Sequence, residues 1–160
     1  MILQEGNIQF DFTGALDGCK FDERDSSKPF FHGLSHCMKA VDFVVELNDS
    51  YLFVEIKDPP DPFWYGKGNK KDELIKTLVT KFRDSFVYRW SEEKLDKPVK
   101  YLCLVEVDNA LVSYLMKELK RQLPAGGPKS RWKQPIAQTC VVANIARWNS
   151  SFPDWQVSRL

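Results

Sequence analysis

The sequence has no long apolar run, no paired cysteines and no excess of charge of one sign. No apolar stretch in its 160 residues approaches the roughly twenty residues that cross a bilayer, so no membrane partner is predicted. The N-terminal segment has neither the basic start nor the apolar run of a secretory signal, and the four cysteines lack CxxC spacing. These absences predict a cytoplasmic protein with reduced thiols.

The charge balance limits the partners that the chain can attract. It carries 23 basic and 22 acidic side chains, which gives a formal net charge of +1. Such a chain lacks the general attraction of a strongly basic protein for nucleic acid, so any such contact must come from a local patch. The length and the 43% hydrophobic content predict one domain, residues 1–160, around a single core.

The most informative stretch is KAVDFVVELNDSYLFVEIKDPP, residues 39–60. It contains two runs of apolar, β-branched and aromatic residues, 40–47 and 51–58, separated by the turn-forming pair Asn48 and Asp49. Two such runs around a short polar pair are typical of a β-hairpin. The sequence therefore predicts an antiparallel hairpin here.

The length of the turn decides where the charged residues of this hairpin lie. With a two-residue turn, Asp42 lies directly across from Glu55, and both carboxylates point to one face of the sheet. A four-residue turn would place Asp42 opposite Lys57 and keep the cluster. An unbulged three-residue turn would send the carboxylates to opposite faces, because a shift of one residue inverts every side chain.

Two neighbouring carboxylates repel each other, and a divalent cation with oxygen ligands relieves that repulsion. Lys57 shares the face of Glu55 one pleat further along, where it can orient or deprotonate a water molecule. A cation beside a lysine suits phosphodiester hydrolysis. The alternative is a solvated outer face or a structural charge cluster, although the apolar neighbours Val44, Leu52 and Ile56 favour burial of both strands.

Asp42, followed thirteen residues later by Glu55-Ile56-Lys57 on adjacent predicted strands with a helix after them, resembles the PD-(D/E)xK nuclease superfamily. This superfamily includes type II restriction endonucleases and Holliday-junction resolvases. The resemblance covers residues 36–108. It implies that Asp42, Glu55 and the carbonyl of Ile56 bind Mg²⁺ or Mn²⁺ and that Lys57 is the catalytic lysine.

The chain departs from the pattern of this superfamily in two respects. Val41 stands where the proline of the name would be, which many members tolerate, and no acidic residue from an N-terminal helix is assigned. A solvated loop explains most acidic residues of the N-terminal part. The candidates for a further metal ligand there are Glu5, Asp11, Asp17, Asp22, Glu23 and Asp25.

The clearest helix is predicted over residues 72–90, where leucine and phenylalanine recur at steps of four. Lys81 and Thr77 lie beside this apolar stripe. The resemblance implies that a polar or basic residue of this helix assists at the site, and either residue fits that part. Plain helix surface is the preferred interpretation for both, because charged and polar side chains are mostly exposed.

Two loops carry basic side chains beside aromatic rings, a combination that suits contacts with phosphates and bases. Residues 58–68 leave the second hairpin strand directly and lie at the rim of the predicted site, unless their aromatic residues simply cap the core. Residues 124–135 are predicted to form a flexible, basic loop with one aromatic residue, although such loops are often only solvated. The predicted nucleic-acid-binding residues are Trp64, Lys67, Lys81, Lys129, Arg131, Trp132 and Lys133.

The remaining segments complete an α/β pattern. The predicted elements are a strand at 8–12 with a return strand at 19–21, a strand at 99–108, a helix at 110–122, a strand at 139–148 and an extended tail that packs Phe152 or Trp155 on the body. The expected fold is a mixed β-sheet flanked by helices. Its core would be restriction-endonuclease-like (β-hairpin, helix, strand, helix, strand), with an extra N-terminal hairpin.

The expected function is a Mg²⁺-dependent endonuclease or exonuclease that hydrolyses nucleic acid, with DNA as the first candidate and a homodimer as a further expectation. The alternative is a nuclease-like fold that no longer cuts and binds nucleic acid or protein. The balanced charge and the unassigned acidic residue favour this alternative.

Overall fold

The computed structural model describes residues 1–61, 63–123 and 130–160. Eight strands and three α-helices lie within these residues. In chain order they are β1 (Ile2–Glu5), β2 (Ile8–Phe12), β3 (Asp17–Lys20), β4 (Phe43–Glu46), β5 (Tyr51–Lys57), α1 (Lys70–Ser91), β6 (Val99–Val105), α2 (Asn109–Gln122), β7 (Thr139–Ala143), α3 (Ile145–Ser151) and β8 (Trp155–Arg159). None of the helices in this part of the chain combines the length and apolarity needed to cross a bilayer.

A five-stranded sheet with the order β3-β4-β5-β6-β7 forms the centre of the molecule. The pairs β3-β4 and β4-β5 are antiparallel, and β5-β6 and β6-β7 are parallel. Each parallel pair is joined through a helix, α1 or α2, because a parallel connection must return across the sheet. The prediction of an α/β fold with a mixed sheet flanked by helices is confirmed.

The two faces of the central sheet are covered by different layers. On one face, Phe82 of α1 packs its ring against Phe53 of β5 and Tyr101 of β6. On the other face, Phe10 of β2 meets Phe43 of β4 with an edge-to-face ring contact. A three-stranded sheet, β1-β2-β8, together with α3, covers this second face.

The hairpin β4-β5 has the register that a two-residue turn predicts. Phe43 pairs with Val54, and the Leu47 amide donates to the Ser50 carbonyl at 2.8 Å. Continuing this register by one step places Asp42 opposite Glu55. The prediction that both lie on one face is therefore confirmed at the level of the backbone.

The strands of the predicted N-terminal hairpin pair with other partners than expected. Ile8–Phe12 pairs with β1 and β8, whereas the expected return strand, found at Asp17–Lys20, pairs with β4 in the central sheet. The turn between β1 and β2 contains Gly6 at a φ of 55°, a conformation that glycine adopts without strain. The prediction that residues 8–12 and 19–21 pair with each other is wrong.

The predicted strand over residues 139–148 is also only partly correct. The strand ends at Ala143, because the Asn144 side chain accepts a hydrogen bond from the Arg147 amide at 3.0 Å and begins α3. The extended tail is confirmed as β8, and Phe152 and Trp155 pack against the apolar residues between the two sheets.

Candidate active site

Asp42 is held from three directions at the point where the β4-β5 ladder ends. Its Oδ2 atom accepts a hydrogen bond from the Ile56 amide at 2.6 Å, and its backbone carbonyl accepts one from the Phe21 amide at 2.8 Å. The preceding residue, Val41, donates its amide hydrogen to Ser85 Oγ of α1 at 2.9 Å. The Asp42 side chain is therefore fixed in a buried position, with 5% of the residue exposed.

Glu55 is completely buried on the face of β5 that α1 covers. Its Oε1 atom lies 2.6 Å from Lys57 Nζ and 2.8 Å from Lys81 Nζ. Both contacts are ion pairs to the same oxygen, and the other oxygen, Oε2, has no hydrogen-bond partner among the described residues. Burial, followed by the charge of Asp42, raises the pKa of the Glu55 carboxyl to about 7, against the opposing effect of the two lysines.

Lys81 reaches into the cluster from α1 and touches both acidic residues. Its Nζ atom lies 3.1 Å from Asp42 Oδ1 and 2.8 Å from Glu55 Oε1, and 14% of its side chain is exposed. Burial lowers the pKa of the Lys81 ammonium, but the charges of Glu55 and Asp42 outweigh burial and raise it above the ordinary value. The interpretation of Lys81 as plain helix surface is wrong, whereas Thr77 is exposed as that interpretation predicts.

Asp42, Glu55 and Lys57 therefore converge on one face of the sheet, at the end of β5. The two carboxylates are buried, which contradicts the alternative of a solvated outer face. Lys57 is the most open member, since 24% of its side chain is exposed. The chemical roles of these residues remain predictions.

Asp22 is the acidic residue of the N-terminal part that lies in the electrostatic range of the cluster. It follows β3, whose pairing with β4 continues through the contact between Phe21 and Asp42. Burial, followed by the charge of Asp42, raises the pKa of the half-buried Asp22 carboxyl to about 6. Its Oδ1 atom is buried without a hydrogen-bond partner in the described part of the chain. By contrast, Glu5 pairs with Lys20 at 2.6 Å.

The oxygen atoms of this cluster fit a hard divalent cation. Mg²⁺ is typically held by one or two carboxylates and keeps several water ligands, and Asp42 and Glu55 supply that number. The Ile56 amide points towards Asp42, and the carbonyl of a strand residue points to the same edge as its amide, so the Ile56 carbonyl faces this side too. Within residues 1–61, 63–123 and 130–160, no three His, Cys, Asp or Glu side chains approach closely enough to hold a metal as they stand.

Residues 58–68, which follow β5 and are called the rim segment below, place one aromatic residue near the cluster and leave others in solvent. Tyr65 packs half-buried against the apolar residues between α1 and the central sheet, and burial, followed by the charge of Glu55, raises the pKa of its phenol. Phe63 is 70% exposed, and Trp64 is partly exposed beneath the Lys70 ammonium, which lies 3.1 Å from the ring centre. The alternative in which Phe63 and Trp64 cap the core is therefore wrong.

The predicted cationic residues of the rim and of the second loop lie in different places. Lys67 is exposed and pairs with Asp61 at 3.1 Å in the rim segment. Lys129 lies outside the described residues. Arg131, Trp132 and Lys133 are exposed in the connection between α2 and β7.

That connection enters the sheet far from the cluster. The Gln138 amide donates to the Val99 carbonyl at 2.7 Å, so β7 begins beside the start of β6. Lys57 lies at the other end, opposite Val105. Because the strands run parallel here, the structure does not bring Arg131, Trp132 or Lys133 to the cluster, and their role in binding nucleic acid remains a prediction.

Comparison of the chain with protein-family models, with curated proteins and with solved structures returns no match. Function must therefore be inferred from the chemistry of the cluster and from its place in the fold.

Proposed function

We propose that the chain is a metal-dependent nuclease with a core of the PD-(D/E)xK type. The observation that carries this proposal is the convergence of Asp42, Glu55 and Lys57 on one sheet face, although the two carboxylates are buried. Buried carboxylates need a compensating partner, and their retention at a strand end is typical of a functional site. The order hairpin, helix, strand, helix, strand from β4 to β7 supports the assignment of the core.

The proposed roles follow from the position of each group. Asp42, Glu55 and the carbonyl of Ile56 would hold Mg²⁺ or Mn²⁺, and Asp22, which feels the charge of Asp42, would add negative charge near the ion without binding it directly. When bound, such an ion polarises a phosphoryl oxygen and lowers the pKa of a water ligand. Lys57 is the cluster member most open to solvent, so its ammonium group can orient the attacking water and exchange a proton with it at Nζ.

Nucleic acid is the proposed substrate, with DNA first, and its path would pass the rim segment that carries Trp64 and Lys67. Both are accessible, and the segment follows Lys57 directly along the chain. A homodimer would place two such sites on two strands of a duplex, which makes it part of this proposal.

The test is cleavage of single-stranded, double-stranded and branched DNA and of RNA, each with Mg²⁺, with Mn²⁺ and with a chelator. We expect metal-dependent cleavage that Lys57→Ala reduces by at least about a hundredfold, the usual contribution of one acid-base group, and that Asp42→Asn reduces at least as much because it removes a charged metal ligand. The exposed residues Asp154 and Lys117 provide matched controls, Asp154→Asn and Lys117→Ala, that should retain activity.

A second candidate function is a nuclease-like binding module that does not cut. The contacts of Lys81 favour it, because the ammonium groups of Lys57 and Lys81 already balance the charges of Asp42 and Glu55 without a metal. If no substrate is cleaved with either metal and Mn²⁺ does not raise the melting temperature of the parent, the acidic pair serves only as the partner of the two lysines, and the binding module is the better assignment.

A further inference from the structure

The ammonium group of Lys81 lies between the two carboxylates, in the position that a bound cation would be expected to take. Its nitrogen is 3.1 Å from Asp42 Oδ1 and 2.8 Å from Glu55 Oε1. The second oxygen of Asp42 accepts the hydrogen bond of the Ile56 amide. A cation that binds Asp42 through its other oxygen, Oδ1, must therefore use an atom that Lys81 now contacts, and on Glu55 it can use the unpartnered Oε2 atom beside that contact.

The charges of the cluster make simultaneous occupation unfavourable. Two carboxylates and the two ammonium groups of Lys57 and Lys81 sum to zero, and most of the cluster is removed from water. A divalent cation added beside both ammonium groups would leave two uncompensated positive charges, and charges at such distances interact strongly away from water. Lys81 is the better group to withdraw, because it contacts both ligand residues and its four-carbon stem is flexible.

We propose that Lys81 is a tethered competitor of the metal: its ammonium group neutralises Asp42 and Glu55 until Mg²⁺ or Mn²⁺ displaces it. This inference rests on the proposed function. The displaced ammonium group needs a new anionic partner, and a phosphodiester substrate beside the metal supplies one. Lys81 would thus weaken metal binding by the free protein and favour metal binding together with substrate.

Isothermal titration of the purified protein with Mn²⁺ tests this competition without measuring cleavage. The variants are Lys81→Gln, which keeps a hydrogen-bond donor beside the carboxylates, and Lys81→Met, which keeps only the apolar stem. Lys76→Met is the control, because Lys76 is an exposed lysine of the same helix. We expect both Lys81 variants to bind Mn²⁺ at least about tenfold more tightly than the parent, and the control to bind like the parent.

Each other outcome identifies what has failed. Equal or weaker binding by both Lys81 variants, with clear binding by the parent, overturns the competition and assigns Lys81 to holding the ligand residues in place. Absence of Mn²⁺ binding in the parent and in every variant overturns the proposed function and the competition with it. If Lys81→Met unfolds without metal, Lys81→Gln alone decides, because it leaves a donor for the buried carboxylates.

Discussion

The carboxylate of Asp42 accepts a hydrogen bond at 2.6 Å from the backbone amide of Ile56, the residue between Glu55 and Lys57. A side chain here takes the place of the next backbone partner in the β4-β5 ladder. The amide of Val41 is correspondingly free of the ladder and donates to Ser85 Oγ of α1 instead. The hairpin end, the acidic pair and α1 are thus joined through hydrogen bonds that depend on each other.

Replacement of Ser85 by alanine tests this junction. Ser85→Ala removes the acceptor of the buried Val41 amide, so we expect the free energy of unfolding to fall by about 1 to 3 kcal/mol. Ser91→Ala is a matched control on the same helix, because Ser91 is exposed and donates only to the Val87 carbonyl. Urea denaturation followed by circular dichroism measures both changes, and equal effects would show that the Val41 hydrogen bond does not stabilise the fold.

A second prediction concerns stabilisation by the metal. A ligand that binds only the folded state stabilises it by about 2.7 kcal/mol at a concentration of one hundred times its dissociation constant. We therefore expect Mn²⁺ to raise the melting temperature of the parent and to lose most of this effect in Asp42→Asn. Asp22→Asn should keep more of it than Asp42→Asn, because Asp22 acts on Asp42 through its charge and is not one of the two carboxylates that Lys81 contacts.

Calorimetric scans with Mn²⁺ and with a chelator measure these shifts. Ca²⁺ at the same ionic strength shows whether the effect is selective for smaller cations. An equal rise in the parent and in Asp42→Asn would place the metal elsewhere on the protein.

The raised pKa values of Glu55 and Asp22 predict an unusual dependence of stability on pH. Burial raises the pKa of Glu55 to about 7 and that of Asp22 to about 6. Between these values and the ordinary values near 4, the folded state binds more protons than the unfolded state. The free energy of unfolding should therefore rise as pH falls from 8 to 5, by an amount on the order of 1 to 3 kcal/mol.

The variant Glu55→Gln isolates this contribution, because it cannot titrate. Its stability should change less between pH 8 and pH 5 than that of the parent, measured by urea denaturation at each pH. Exposed carboxyls such as Asp61 and Asp96 have pKa values below their ordinary range, owing mainly to hydrogen bonds from the Phe63 amide and from Tyr51, so they titrate below this window. Identical pH profiles for the parent and Glu55→Gln would contradict the raised pKa of Glu55.

Local patterns were sufficient to predict the parts of this fold that depend on neighbours in sequence. The pair Asn48 and Asp49 determines the length of the turn, and with it the register that places Asp42 across from Glu55. The spacing of leucine and phenylalanine similarly predicts α1 to within two residues at its N-terminal end and one at its C-terminal end.

Local patterns could not predict features that depend on contacts between residues far apart in the sequence. The approach of Asp22 to Asp42 requires that β3 pair with β4, where Lys20 meets Phe43, and no local signal specifies that pairing. Lys81 lies at the edge of the apolar stripe of α1, so its direction depends on how the helix crosses the sheet. The sequence alone is compatible with both a surface lysine and a lysine that contacts the cluster.

The last prediction separates the two surfaces that could bind nucleic acid. Lys67 of the rim segment and Lys70 at the start of α1 both follow Trp64 closely in sequence, shortly after the cluster residues of β5. Arg131 and Lys133 lie instead in the connection that enters β7 at the other end of the sheet. If the substrate lies over the cluster, the double variant Lys67→Ala/Lys70→Ala should bind DNA more weakly. The slope of log affinity against log salt concentration should also become shallower by about one unit for each phosphate that the variant no longer neutralises.

Fluorescence anisotropy with labelled DNA, at several salt concentrations and with a chelator to prevent cleavage, measures this slope. The double variant Arg131→Ala/Lys133→Ala removes the same number of charges and should leave the slope unchanged. The reverse pattern would assign binding to the connection before β7. Because a substrate bound there cannot be centred on Asp42 and Glu55, that result would favour the binding module over the nuclease.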